Sequence, residues 1–242
     1  MKTIALVSGT GGSGRTTLTA ALACAIRRSG RPVLAVDADP ANLLALHLGA
    51  IEPAPTGLDA ALLAPASASA YALENSDGVR ILPFGGTSGG DSHWSADPHA
   101  LRTLLQSVEL PDDTIALIDT PRLPSSLAAQ ALAAADLSLF VWRADCASYA
   151  RLGALPADTA RALHLINQMD PTRRLQTDVH SLLRARLGKR LLEQVVHRDE
   201  ALPESIAANR NPFDYAPRSR VVQDITTLAQ QLIEVVTAGA LP

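Results

Sequence analysis

The chain has few aromatic residues, cysteines and lysines, and each shortage argues against a class of protein. Phe, Trp and Tyr make up 3% of the 242 residues, too few for the platforms on which single-stranded nucleic acids stack. The two cysteines, Cys24 and Cys146, lie too far apart to indicate a disulfide framework or a metal site. Buried thiols in a reducing cytoplasm are the simpler interpretation. The lysines are Lys2 and Lys189 and the arginines are scattered, which disfavours a DNA-binding surface.

Long hydrophobic runs are also missing. No uninterrupted apolar segment approaches the ~18 residues that cross a membrane, and a strand pattern begins almost at the N-terminus. We therefore expect neither a transmembrane helix nor a signal peptide. The net charge of −3 gives no general attraction to nucleic acid or to anionic lipid. With 47% hydrophobic residues, the chain suits a single cytoplasmic α/β domain over residues 1–242.

The most informative stretch is GTGGSGRTT at residues 9–17. It follows a strand-like run at 3–7 and leads into an Ala- and Leu-rich helical segment at 17–26. Glycines allow positive φ values and bring successive N–H groups toward one point, and the start of a helix adds positive charge there. The pattern therefore predicts a phosphate-binding loop. A plain glycine turn is the less favoured alternative.

The spacing matches the Walker A pattern G-x-x-x-x-G-K-[ST] with one exception. Gly9 and Gly14 are the bracketing glycines, Thr16 supplies the magnesium-side hydroxyl, and Arg15 replaces the usual lysine. Arginine keeps the positive charge, but its planar fork is bulkier than an ammonium group, so the exchange is not conservative. The predicted nucleotide-binding residues of this loop are Gly11, Gly12, Ser13, Gly14, Arg15, Thr16 and Thr17.

Carboxylates follow two further apolar runs. Asp37 and Asp39 end one of them, and Asp119 ends the other in the form of a Walker B motif. Because ligands collect at the carboxyl ends of parallel strands, we expect these acids beside the glycine loop. Thr16, Asp37 and Asp119 would then surround a magnesium ion. A helix N-cap is an alternative role for Asp39, compatible with the first.

Strand-like and helical segments alternate along the rest of the chain, which predicts a doubly wound, mostly parallel sheet flanked by helices. Asn167 ends one predicted strand, and its amide suits either an adenine edge or the start of a turn. The Gly- and Ser-rich residues 85–92 are expected to form a surface loop. The other predicted strands are 33–36, 79–84, 114–119, 137–142, 161–167 and 191–196, with a helix start at 197–200, a loop at 211–217 and a closing helix at 221–238.

Four segments together resemble the MinD/ParA family of deviant-Walker P-loop ATPases: residues 11–17, 37–40, 119–121 and 211–219. The resemblance covers nearly the whole chain. It implies a homodimer that holds two ATP molecules, with magnesium, between its subunits. It also implies that Asp39 orients the attacking water, that Asp119 supports the metal and that Asn167 reads adenine.

Two positions depart from that family's pattern. Thr10 stands where the signature lysine reaches across to the partner's phosphates, and Arg15 stands at the P-loop lysine. Both replacements argue against fast hydrolysis, which leaves open whether the chain is a slow ATPase. They fit the BcsQ (YhjQ) subfamily, to which residues 82–85, 165–167 and 190–201 are similar. That likeness implies an ATP-binding switch that assembles, locates or regulates a bacterial cellulose synthase and secretion complex.

MinD-like proteins attach to membranes through a basic amphipathic C-terminal helix, whereas residues 234–242 carry no basic residue. We therefore expect no direct membrane anchor, and recruitment to the inner membrane only by partners of the cellulose apparatus. The alternative function is that of a ParA-like partitioning ATPase that binds DNA non-specifically. A salt-sensitive, ATP-dependent shift of duplex DNA would support it. A P-loop fold that has lost nucleotide binding is a third interpretation.

Overall fold

The computed structural model describes residues 1–63, 69–86, 97–155 and 162–239. Within these residues, eight strands form one sheet: β1 (Lys2–Val7), β2 (Val33–Asp37), β3 (Leu73–Glu74), β4 (Arg80–Leu82), β5 (Ile115–Asp119), β6 (Leu137–Trp142), β7 (Ala162–Met169) and β8 (Leu191–His197). Their spatial order is β3-β4-β2-β5-β1-β6-β7-β8. All neighbours run parallel except β3 and β4, which are antiparallel. The predicted doubly wound, mostly parallel sheet is confirmed.

Helices cover both faces of the sheet, because alternate residues of each strand point to opposite sides. Ile4 and Leu6 of β1 face one layer and are fully buried, each contributing about 1.5–3 kcal/mol of hydrophobic stabilisation. Ala5 and Val7 face the other layer. The described helices are α1 (Arg15–Arg28), α2 (Leu44–His47), α3 (Leu58–Leu63), α4 (Ala100–Ser107), α5 (Ser126–Ala134), α6 (Cys146–Arg151), α7 (Arg174–Leu187), α8 (Ala201–Ala207), α9 (Pro212–Tyr215) and α10 (Arg220–Ala238). α1 and α10 lie on the first face, and α3, α4, α5 and α7 on the second.

Some element boundaries differ from the predictions. β8 continues through His197, so the next helix begins at Ala201 and not at 197–200. The predicted loop 211–217 contains α9, because Pro212 suits a first helical position and the Asn211 side chain accepts the Phe213 N–H at 3.0 Å. The short strand β3 lies in an Ala- and Ser-rich segment for which no element was predicted.

The cysteines differ from each other. Cys24 is buried, as predicted, and burial raises the pKa of its thiol to about 12, so it stays protonated at neutral pH. The prediction of a buried thiol is wrong for Cys146, which is exposed at the start of α6. Its place in the first turn of a surface helix gives it no apolar layer to pack against.

Parts of the predicted loop and tail lie outside the described residues. Of the loop 85–92, the structure describes Gly85 and Gly86, and the tail is described as far as Gly239. Among the described helices, none is long and apolar enough to cross a membrane.

Strand pairing brings the predicted site together. Asp37 at the end of β2 pairs with Asp119 at the end of β5, and Asp119 also pairs with Leu6 of β1. Because β1 runs directly into the glycine loop, the loop and both carboxylates lie at the same edge of the sheet.

Candidate functional site

The glycine loop turns the chain from β1 into α1. Gly14 is the N-cap of α1 with φ of 81°, and Gly12 has φ of 68°, values that residues with a Cβ rarely adopt. The helix begins at once, with the Leu18 N–H donating to the Gly14 carbonyl at 2.9 Å. The first N–H groups of a helix have no intrahelical partners, and the helix dipole adds positive charge beside them. This geometry suits an anion such as a phosphate group.

Two consecutive amide side chains at the end of β7 hold this loop, and we call them the amide clamp. Asn167 Nδ2 donates to the Ser13 carbonyl at 2.8 Å, and Gln168 Nε2 donates to the Gly12 carbonyl at 3.2 Å. In a trans peptide group, the N–H points in the direction opposite to the carbonyl. Because the clamp binds the carbonyls of Gly12 and Ser13, the N–H groups of Ser13 and Gly14 point away from the clamp.

The start of the loop is held from the other side. Arg151 Nε donates to the Gly9 carbonyl at 3.3 Å, and the Thr10 N–H donates to Ser8 Oγ at 3.1 Å. The Trp142 ring lies beneath Gly9, fully buried, and its indole N–H donates to His164 Nδ1 at 3.0 Å. Both ends of the loop are therefore fixed by side chains from neighbouring strands and helices.

The Arg15 side chain lies between two carboxylates. Its Nη2 is 3.4 Å from Asp39 Oδ2, and its Nε is 4.0 Å from Asp119 Oδ1. The side chain is only 11% exposed, and its Nε and Nη1 have no hydrogen-bond partner among the residues that the structure describes. Leaving buried donors without an acceptor is costly, and phosphate oxygens are acceptors that would satisfy them.

Asp37 and Asp119 are buried side by side. Asp37 accepts the Asp39 N–H at 3.0 Å and the Leu44 N–H at 2.9 Å, but neither oxygen of Asp119 has a partner of ordinary geometry. Burial raises the pKa of Asp37 to about 7. Burial and the neighbouring Asp37 carboxylate raise the pKa of Asp119 to about 8, against the opposing effects of the Thr16 hydroxyl and Arg15. A cation bound here would favour the charged forms of both.

The oxygen atoms at this edge suit magnesium in part. The Asp119 carboxylate and the Thr16 hydroxyl are ligands of the type that magnesium prefers, and within the described residues no hydrogen bond of ordinary geometry reaches either Asp119 oxygen. Asp37 uses both of its oxygens for backbone N–H groups, which fits a supporting role. Within the described parts of the chain, no group of three or more His, Cys, Asp or Glu side chains is arranged to hold a metal ion. Phosphate oxygens and water would have to complete the coordination.

The N-cap alternative for Asp39 is wrong. Asp39 Oδ1 accepts the Ala41 N–H at 3.0 Å within a turn, and α2 starts later, at Leu44. It is Asp37 that accepts the N–H of the first residue of α2. The side chain of Asp39 is thereby left beside Arg15.

We expect Asp37→Ala to lower the free energy of unfolding by about 2 kcal/mol, because the buried Leu44 N–H loses its acceptor and the turn into α2 loses its anchor. Urea denaturation of both proteins measures this. Asp170→Ala is the control, since Asp170 accepts the Thr172 N–H at an exposed turn, where water can replace this bond and those from the Thr172 hydroxyl and Arg173. An equal loss in the two variants would contradict the role of Asp37.

Comparison with known proteins identifies the family. A family model described as cellulose biosynthesis protein BcsQ matches residues 1–233. The chain belongs to the BcsQ family. The cellulose biosynthesis protein BcsQ of Escherichia coli K12 is 33% identical over 226 residues, which cover 90% of this chain and 89% of that protein.

Solved structures show the same architecture. MinD of Pyrococcus horikoshii, complexed with Mg-ADP, matches with a TM-score of 0.75 and 25% identity, covering 99% of this chain and 98% of that one. A cobyrinic acid a,c-diamide synthase of Mycobacterium smegmatis, with bound ADP and magnesium, shares the fold at a TM-score of 0.79 and 20% identity, covering 100% and 97%. The MinD/ParA-like P-loop fold predicted for this BcsQ-family chain is confirmed, and the roles of its individual residues stay predictions.

Two of the predicted site residues have further contacts. The Asn167 amide nitrogen already bonds the Ser13 carbonyl, and its reading of adenine stays a prediction. Thr17 lines a groove of about 710 Å³ that extends along α1 to Cys24. Sequence reasoning missed Gln168 and Arg151, which bond the loop from distant segments; the pair Asn-Gln after an apolar run was the available signal for the first.

Proposed function

We propose that this BcsQ-family protein binds ATP with magnesium and acts as a nucleotide-controlled switch. The observation that carries the proposal is the buried Arg15 guanidinium, with two donors unpartnered, at the N-terminus of α1 and beside the N–H groups of the glycine loop. A polyphosphate satisfies both sets of donors at once. The Mg-ADP complex of the Pyrococcus horikoshii MinD relative supports the choice of ligand.

The residues of the site have different roles according to their positions. The N–H groups of Gly11, Gly12, Ser13 and Gly14 and the Arg15 side chain bind the phosphates, while Thr16 and Asp119 hold magnesium with support from Asp37. Magnesium, when bound, neutralises phosphate charge. Asp39 orients the attacking water molecule. Fast hydrolysis is not expected, since Thr10 and Arg15 replace two lysines.

The switch acts on other proteins. We propose that two chains, each folded as one unit over residues 1–242, associate through bound ATP and then assemble, locate or regulate a cellulose synthase and secretion complex. Membership of the BcsQ family supports this role. α10 has Arg220 as its one basic residue, which argues for recruitment to the inner membrane by partners and against direct anchoring. With few lysines and scattered arginines, a DNA-binding role is not favoured.

Calorimetric titration of the full chain with ATP and with ADP, both with magnesium, tests the ligand. We expect one nucleotide per chain, and no heat from either nucleotide would contradict the proposal.

The cellular role is tested by deleting the gene in its own host. Cellulose secretion should fall and be restored by the wild type but not by Arg15→Ala, and full restoration by that variant would contradict a nucleotide-controlled role.

A further inference from the structure

The position of Arg15 has a second consequence, concerning the cation at this site. Its guanidinium contacts Asp39 and Asp119, the acids that face the glycine loop, at 3.4 and 4.0 Å. Asp119 is fully buried, and the Thr16 hydroxyl is a neutral donor group beside its carboxylate. Among the described residues, the Arg15 guanidinium is the positive group that pairs with both acids.

Asp39 and the charged form of Asp119 repel a polyphosphate, and a nearby positive charge weakens the repulsion. In a nucleotide site whose carboxylates have no positive side chain beside them, a bound magnesium ion weakens this repulsion. Here the Arg15 side chain supplies a positive charge of its own. The charge is also fixed in place, since the side chain starts from the first residue of α1 and is 11% exposed.

We propose that Arg15 is a built-in cation for Asp39 and Asp119, and that it makes nucleotide binding by this chain largely independent of magnesium. The inference rests on the proposed nucleotide binding and adds a cofactor dependence to it. Magnesium still binds beside the phosphates when present, but affinity does not require it.

The planar shape of the guanidinium explains why arginine, and not lysine, can serve as the cation for both acids. Nη2 lies 3.4 Å from Asp39 and Nε lies 4.0 Å from Asp119, while Nε and Nη1 have no hydrogen-bond partner among the described residues and remain for phosphate oxygens. One guanidinium thus has donors in three directions within a plane. An ammonium group at the end of a flexible stem is a point charge that cannot span both acids in this way.

The test measures the dissociation constant of ADP by calorimetry in excess magnesium and again in excess EDTA. The proteins are the wild type, Arg15→Lys and the control Arg28→Lys. Arg28 lies at the other end of α1 and pairs with Asp214 at 3.1 Å, so the control also exchanges an arginine that faces a carboxylate. Thermal unfolding of each protein checks that all three are folded.

We expect removal of magnesium to weaken ADP binding by about threefold or less in the wild type and in Arg28→Lys, and by more than about tenfold in Arg15→Lys. Equal magnesium dependence in the wild type and Arg15→Lys would overturn this inference while leaving nucleotide binding intact. Absence of ADP binding in both buffers would instead overturn the proposed function, and the inference with it.

Discussion

Gly14→Ala should weaken ATP binding by roughly a hundredfold, the loss expected when about 3 kcal/mol of phosphate hydrogen bonds is removed. Gly14 has φ of 81°, and a Cβ there would lie 2.6 Å from Asn167 Nδ2 and 3.0 Å from Gln168 Nε2. The alanine would therefore meet both members of the amide clamp and strain the backbone by about 1–2 kcal/mol. Calorimetric titration with ATP measures the change.

Gly30→Ala separates the effect of backbone strain from the effect of the clash with the amide clamp. Gly30 follows the other end of α1, also has positive φ, at 89°, and a Cβ there would meet nothing within 4 Å. This control carries the backbone strain without the clash, so we expect it to lower the thermal midpoint but to leave ATP affinity unchanged. If Gly14→Ala bound ATP as the wild type does, the glycine loop would not be the phosphate site.

Arg15→Ala should weaken ATP binding by roughly 10- to 100-fold, the usual effect of losing a charge-assisted hydrogen bond to phosphate. Thr10→Ala should weaken it by less than about threefold, because a neutral hydroxyl contributes less than a charged donor. The Thr10 hydroxyl has a contact with Ser8 Oγ at 3.4 Å, whereas Arg15 has two buried donors without a partner.

The two variants are compared in the same titration, with thermal unfolding as the check on folding. Equal effects of the two substitutions would rule out the special role given to Arg15. A larger effect of Thr10→Ala would place the main phosphate contact at the start of the loop.

Much of this architecture could be predicted, because the residue patterns along the chain agree with the way the strands and helices pack. The strand 137–142 is predicted with its observed limits, since it is apolar except for Ser138 and is buried on both faces. The glycine loop could also be placed between β1 and α1, because glycine spacing and the helix start both depend on neighbouring residues. The grouping of Asp37 with Asp119 followed from parallel strands ending at one edge.

Contacts between distant segments could not be predicted in the same way. The amide clamp joins Gln168 to Gly12, residues 156 positions apart, and nothing in either local pattern specifies the pairing. Asp37, and not Asp39, accepts an N–H group at the start of α2. This depends on the path of residues 37–44, because α2 starts one turn later than the sequence indicates. The position of Arg15 between two carboxylates likewise depends on side-chain direction, which the sequence spacing does not specify.

The measurement that tests the central claim most directly is the solution mass by light scattering, with Mg-ATP, with Mg-ADP and without nucleotide. A nucleotide-controlled switch predicts the monomer mass of 25.4 kDa without nucleotide and with ADP, and twice that mass with ATP. Arg15→Ala, measured in parallel, should remain a monomer at ATP concentrations that dimerise the wild type. The same mass for the wild type in all three conditions would contradict the claim that ATP controls its assembly.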